Sequence, residues 1–503
     1  MNRNSVLRLY GKYKKLSGMY MGKGRLNEAF GCLYYACYLM YAYQIRICDD
    51  EIEALLGSLG EKALGCGKIR RESGNKGVMF YDSLARDRIA LSRQYLEALI
   101  QIGEPFTYVI CAEKSDAQEL ISLVRGSVAG TLEVIPGFLS YVEQMRTLRT
   151  LFEKYVPERV LLHMANGDVT GAAFWQMTAG TERFYINHGD EQFWVGKNAL
   201  DYLLCYRGSG ARIAIDDRGI AESRVLMQPY YPAVFDECFQ GLDFDLPKDG
   251  VLLFSGGRYV KVYNENNEFA KMTVDILQRN PNAYFLFAGS GDSRGFEEQL
   301  RQGGVLDRCK MIPYRKDLMG LMRRIDVYLS TYPVNGGLMA QFAALARKPV
   351  VERASEESGR IEELFPKLSG ETKICYETPE QYHATVDRLI GDEEMRAKLG
   401  ETLHDGLITE NEFDRNLERI LKDQKSAFPV SGETLNIGRI SERLIQIDNR
   451  YMHRFWALQL NKYILRSAPL RFVYAGLMFV RYQGWRALVL GVKKKVKVKG
   501  EAF

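Results

Sequence analysis

Residues 251–261 read Val251-Leu252-Leu253-Phe254-Ser255-Gly256-Gly257-Arg258-Tyr259-Val260-Lys261. A short, unbroken apolar run closed by a glycine turn predicts a strand buried on both faces. The glycines past its end allow close approach of a ligand or a second backbone, and Arg258 and Lys261 add cationic donors. The chemical reading of this turn is a diphosphate site. The plain alternative is a glycine-rich turn with solvated basic residues.

The same alternation extends in both directions. Downstream, strands are predicted at Tyr284–Phe287, Lys310–Ile312, Val327–Leu329 and Pro349–Val351, with helices over Glu268–Gln278, Phe296–Gln302, Leu318–Arg324 and Gly337–Ala346. Upstream, strands are predicted at Val78–Tyr81, Tyr108–Cys111, Val160–Leu162, Phe184–Ile186 and Tyr202–Leu204, with helices over Arg88–Ile102 and Phe138–Tyr155. Pro229, Pro232 and Leu242–Gly250 read as a linker between the two series. The expected class is therefore α/β, with two Rossmann-like doubly wound domains facing a cleft: residues 77–240 and residues 250–425. Residues 1–70 read as a helical segment, and residues 440–503 as a basic amphipathic tail.

The 503 residues carry a net charge of +5, but unevenly. From Tyr451 onward there are eleven Lys/Arg and one acid, Glu501; the preceding residues hold 57 basic and 62 acidic groups. A nucleic-acid binder would carry its positive charge on the binding domain, so no nucleic-acid partner is expected. The nine cysteines form no C-x-x-C pair and the five histidines no metal-ligand spacing. Reduced thiols, no metal and a cytoplasmic location are the expectation. The tail interleaves Arg/Lys with aromatic residues and ends in Val492–Lys499, a pattern suited to an anionic inner leaflet. Its alternative is a helix docked on the body, followed by a frayed end.

Three further constellations are candidates for chemistry. Asn335-Gly336-Gly337 opens a predicted helix, whose free amides and dipole favour phosphate; a simple N-cap is the alternative. Asn187-His188-Gly189-Asp190 follows a strand, so His188 and Asp190 would face the cleft as acid–base or phosphate-polarising groups. His163 and Asp82 end two other strands of the same domain and would lie on the acceptor side. Gly289-Ser290-Gly291 with Gly295 departs from dinucleotide-binding spacing, and Tyr314-Arg315-Lys316 stands where an acid should meet the ribose, which disfavours a nicotinamide enzyme.

Taken in order, Ser255–Arg258, Phe287–Gly291, Tyr314–Asp317, Ile325–Tyr328 and Tyr332–Gly337 resemble the C-terminal half of a GT-B glycosyltransferase. The Pro333-Val334-Asn335-Gly336 segment and Asn187–Trp194 resemble stretches of the bacterial cytoplasmic glycosyltransferases related to O-GlcNAc transferase, and the order also resembles polysaccharide-assembly glycosyltransferases. The resemblance spans roughly residues 77–425. It implies a UDP-linked sugar donor as substrate, no cofactor and no required metal. Arg258 and Lys261 would meet the diphosphate, the amides of Asn335, Gly336 and Gly337 would cap it, and Tyr314 and Arg315 would meet the base. The acceptor would be a saccharide, lipid-linked in surface polysaccharide assembly, or a protein; a catalytically silent GT-B partner subunit is the alternative from another class. Retaining members carry an E-x7-E pair beside the phosphate helix. No Glu occurs from Asn335 to Val351, which points towards inversion.

Overall fold

The computed structural model describes residues 2–65, 67–72, 77–111, 116–234, 238–242, 246–451 and 453–481. Two parallel sheets form its frame. The first has seven strands, arranged by position in the chain as 3-2-1-4-5-6-7. Its first strand, Val78–Asp82, lies between Phe106–Cys111 and Arg159–His163, and the order continues through Glu182–Ile186, Tyr202–Cys205 and Val225–Met227. The second has six strands in the order 3-2-1-4-5-6, with Val251–Arg258 between Ala283–Ser290 and Val327–Leu329. Both orders reverse beside their first strand, and ligands of such sheets sit at the carboxyl ends there.

Alternate side chains explain why the central strands carry no polar face. Met79 and Tyr81 enter one core; Val78 and Phe80 enter the other. The first core is covered by three N-terminal helices, Arg3–Gly22, Leu26–Tyr43 and Asp50–Leu64, together with Tyr141–Tyr155 and Val169–Gln176. The Asp49 side chain accepts from the N–H groups of Glu51 and Ile52 and so starts the third helix. Ser140 and Glu143 close a capping box on Tyr141–Tyr155, which therefore begins three residues later than the apolar pattern alone indicates.

The last helix of the second series, Glu410–Asp423, leaves its own sheet and packs on the first. Phe413, Leu417, Ile420 and Leu421 join the core of Phe80 and Tyr95, and Asn416 Nδ2 donates to the Met227 carbonyl at 2.9 Å. The chain then crosses the mouth between the lobes as Ile437–Tyr451. Arg443 pairs with Glu357 and donates to the Val260 carbonyl at 3.4 Å. Farther on, Phe455, Leu458, Tyr463 and Ile464 are buried against the N-terminal helices. The proximal part of the basic segment thus packs on the body, while Val492–Lys499 lies outside the described residues. Among the described residues no helix is long and apolar enough to cross a membrane.

Candidate functional site: a cationic turn beside an open helix end

The two glycine turns of the second lobe end the strands on either side of its switch point, and they converge. Gly256 and Gly257 pair in register with Ala288 and Gly289. A Cβ on Gly256 would lie 2.9 Å from both the Ala288 carbonyl oxygen and Met339 Cε, and Gly257 has φ +137°. Only glycine fits such spacing and such a backbone. The chain then turns through Tyr259–Lys261. Lys261 Nζ donates to the Asn335 carbonyl at 2.8 Å, and the Val334 N–H donates to the Lys261 carbonyl at 3.3 Å.

Asn335 is fixed from beneath. Its Nδ2 donates to Glu352 Oε1 at 2.8 Å and to the Gly359 carbonyl at 2.5 Å. Glu352 Oε2 accepts from the Ile361 N–H at 2.7 Å. Burial pushes the Glu352 pKa up to about 7, against the pull of these bonds. Gly336 N–H donates to Ser330 Oγ at 3.4 Å, and Gly337–Leu345 follows as a helix without a side-chain cap. The N–H groups of Gly337, Leu338 and Met339 therefore find no protein acceptor among the described residues.

Positive charge gathers at this point. Burial lowers the Lys261 pKa, Arg207, Arg258 and Arg443 lower it further, and Glu191 opposes them. Arg258 ends its strand exposed. Neither Arg258 nor Lys261 forms an ion pair among the described residues.

The first lobe supplies the facing loop. His188 keeps a solvent-accessible edge past the end of the strand Glu182–Ile186, but the protein packed around the rest of the ring, with the neighbouring His163, pushes its pKa down to about 4. The two imidazoles stand edge to face with centroids 5.3 Å apart. His163 Nδ1 lies 3.1 Å from Asp82 Oδ1, and Tyr108 Oη donates to Asp82 Oδ2 at 2.9 Å. Burial works to raise the Asp82 pKa, but His163, Ser92 and Tyr108 outweigh it and hold the carboxyl below its usual range. Asp82 and His163 are both fully buried. They offer no face to an acceptor, contrary to their expected acceptor-side place, and instead stand behind His188.

Asp190 also differs from the sequence expectation of a cleft-facing catalytic acid. Its carboxylate is buried and held by Arg207 at 2.6 and 3.0 Å, and Arg207 pairs with Glu191 as well. Arg218 secures the same loop from the other side. It donates to the carbonyls of Ile47, Asp190 and Gln192, and it lies 4.1 Å over the Trp194 ring. The lobes touch where the Ser209 N–H donates to Glu363 Oε2 at 2.7 Å.

The structure thus brings Gly256, Gly257, Arg258, Lys261, Asn335, Gly336 and Gly337 together. Tyr314 stands exposed past the strand Cys309–Pro313. Arg315 is spent on Asp317, at 2.6 and 2.5 Å, and on the Gly241 carbonyl. Sequence reasoning missed Arg207, Arg218, Glu191 and Glu352, whose partners lie far along the chain or on other loops. Only Glu352 had a local signal, an acid at the end of an otherwise apolar strand.

This architecture is known. The chain is similar to an O-GlcNAc transferase mutant of Thermobaculum terrenum, at 15% identity and TM-score 0.50 over 88% of this chain and 84% of that one. It is also similar to a glycosyltransferase of Rickettsia africae, at 12% identity and TM-score 0.53 over 70% of this chain and 98% of that one. The fold is GT-B. No family model and no curated protein matches the sequence.

Proposed function

We propose that the protein is a glycosyltransferase that uses a nucleotide-diphosphate sugar, UDP-linked, and transfers the sugar to a hydroxyl of a saccharide acceptor, lipid-linked in surface polysaccharide assembly. The observation that carries this reading is Lys261, held on the Asn335 carbonyl beside three helix-start amides, with no ion pair for the lysine and no acceptor for the amides among the described residues. Such a site complements a diphosphate, and the two similar structures are named as glycosyltransferases.

The acceptor oxygen forms a bond to the anomeric carbon as the bond from that carbon to the diphosphate oxygen breaks. Charge appears on the departing diphosphate, where Lys261, Arg258 and the amides of Gly337, Leu338 and Met339 stabilise it without a metal. With a pKa near 4, His188 is neutral at pH 7 and a weak base. It accepts a hydrogen bond from the attacking hydroxyl, and the proton freed as the new bond forms passes along it to His188 and on to solvent, the diphosphate lying across the sugar ring. Attack on the face opposite the diphosphate inverts the anomeric centre, the outcome the missing E-x7-E pair favours.

The test is release of nucleoside diphosphate from UDP-, GDP-, CDP- and dTDP-sugars, with and without a saccharide acceptor. Turnover of a UDP-sugar that depends on acceptor supports the reading. No turnover and no nucleotide binding would identify a silent GT-B subunit.

A further inference from the structure

The last described helix presents an apolar stripe to solvent. Residues 469–481 are helical, and Leu470, Val473, Tyr474 and Leu477 are 86%, 58%, 54% and 61% exposed. Their spacing, i, i+3, i+4 and i+7, places them on one face. The other face is docked: Phe472 packs on the N-terminal core, Ala475 is buried, and Arg471 Nε donates to Gln459 Oε1 at 2.5 Å. Trp456 meets the Tyr474 ring edge to face at 5.4 Å.

A basic stripe runs alongside. On the helix Arg3–Gly22, residues Arg8, Lys12, Lys15 and Met19 follow each other at i, i+4, i+7 and i+11. Arg8, Lys15 and Met19 are exposed. The two helices adjoin, since Arg471 acts electrostatically on Lys12, and Arg8 on Arg471. None of Arg8, Lys12 and Lys15 pairs with a carboxylate among the described residues. Residues 1–27 contain seven Lys/Arg and no acid, and no acid occurs from His453 to Gly500. A protein partner of mixed charge is not what such a surface selects. Large apolar side chains flanked by unneutralised cations fit the headgroup boundary of an anionic bilayer, the chains entering the acyl edge and the cations meeting phosphate.

We propose that the face formed by Arg8, Lys12 and Lys15 together with Leu470, Val473, Tyr474 and Leu477 docks on an anionic lipid bilayer. The test uses the full chain and vesicle flotation. Vesicles of phosphatidylcholine with about 30 mol% phosphatidylglycerol are compared with phosphatidylcholine alone. The proposal expects flotation with the anionic vesicles and at least about tenfold weaker partitioning to the neutral ones. It expects a loss of at least about tenfold for Leu470→Gln/Leu477→Gln and for Arg8→Gln/Lys12→Gln/Lys15→Gln, each with an unchanged melting temperature. All seven side chains are polar or solvent-facing, so these variants leave the core intact. Failure of the unaltered chain to float overturns the proposal. So does full binding by either folded variant, which would assign binding to residues 482–503 alone or show the stripe covered by them. Binding to RNA without binding to vesicles overturns it as well.

Discussion

Lys261 forms no ion pair among the described residues, and its Nζ is held by the Asn335 carbonyl. Removing it should leave the fold intact and weaken nucleoside diphosphate binding roughly tenfold to hundredfold, the worth of a charge-assisted hydrogen bond. Titration calorimetry of Lys261→Ala reads this directly. His188 calls for a different readout. His188→Ala should lower kcat by about 10²-fold or more while donor affinity holds. Because the imidazole titrates near 4, the wild-type rate should show no His188-dependent change between about pH 6 and 8. Glu352 makes a stability prediction. Its folded pKa, about 7, lies above the ordinary carboxyl value, so the protonated form is favoured on folding. That contribution is complete below about pH 4.5 and is lost as pH rises to 7, up to about 3 kcal/mol. Glu352→Gln stays neutral. In urea denaturation its stability relative to wild type should improve between pH 5 and pH 8.

At the scale of elements, the strands were legible because both faces are buried. Val78–Asp82 and Val251–Arg258 announce themselves as apolar runs that need no alternation. The helix Gln118–Gly126 and the strand Gly130–Ile135 gave a weaker signal, since the strand is only partly buried. The glycine turns were also legible, because close backbone approach has a sequence signature. Gly289 shows how strict it is: a Cβ there would collide with the Gly257 carbonyl. Gly289→Ala should therefore cost about 1–3 kcal/mol by chemical denaturation and weaken nucleotide binding together with it. What the sequence hid was partnership. Asp190 reads locally as a cleft acid, yet Arg207 on the next strand end neutralises it. Asp82 reads as a rim acid, yet it sits beneath His163.

The whole molecule is held together by chain crossings that periodicity cannot assign. An amphipathic pattern over Glu410–Asp423 gives a helix but does not say which lobe it covers; Phe413 against Tyr95 settles that, with ring centroids 5.2 Å apart. Ile437–Tyr451 then holds the Tyr259–Lys261 turn through Arg443 and packs on the first core through Ile445. In the proposed reading a diphosphate is the hub: the glycine turn and the helix start meet at Lys261 and Asn335, and Glu191 of the facing loop acts electrostatically on Lys261. The most direct measurement is calorimetric binding of UDP and of UMP to the wild type and to Lys261→Ala. A diphosphate site predicts that UDP binds wild type at least about tenfold more tightly than UMP, and that the variant loses this preference. Equal affinity for UDP and UMP in the wild type, or an undiminished preference in Lys261→Ala, would contradict it.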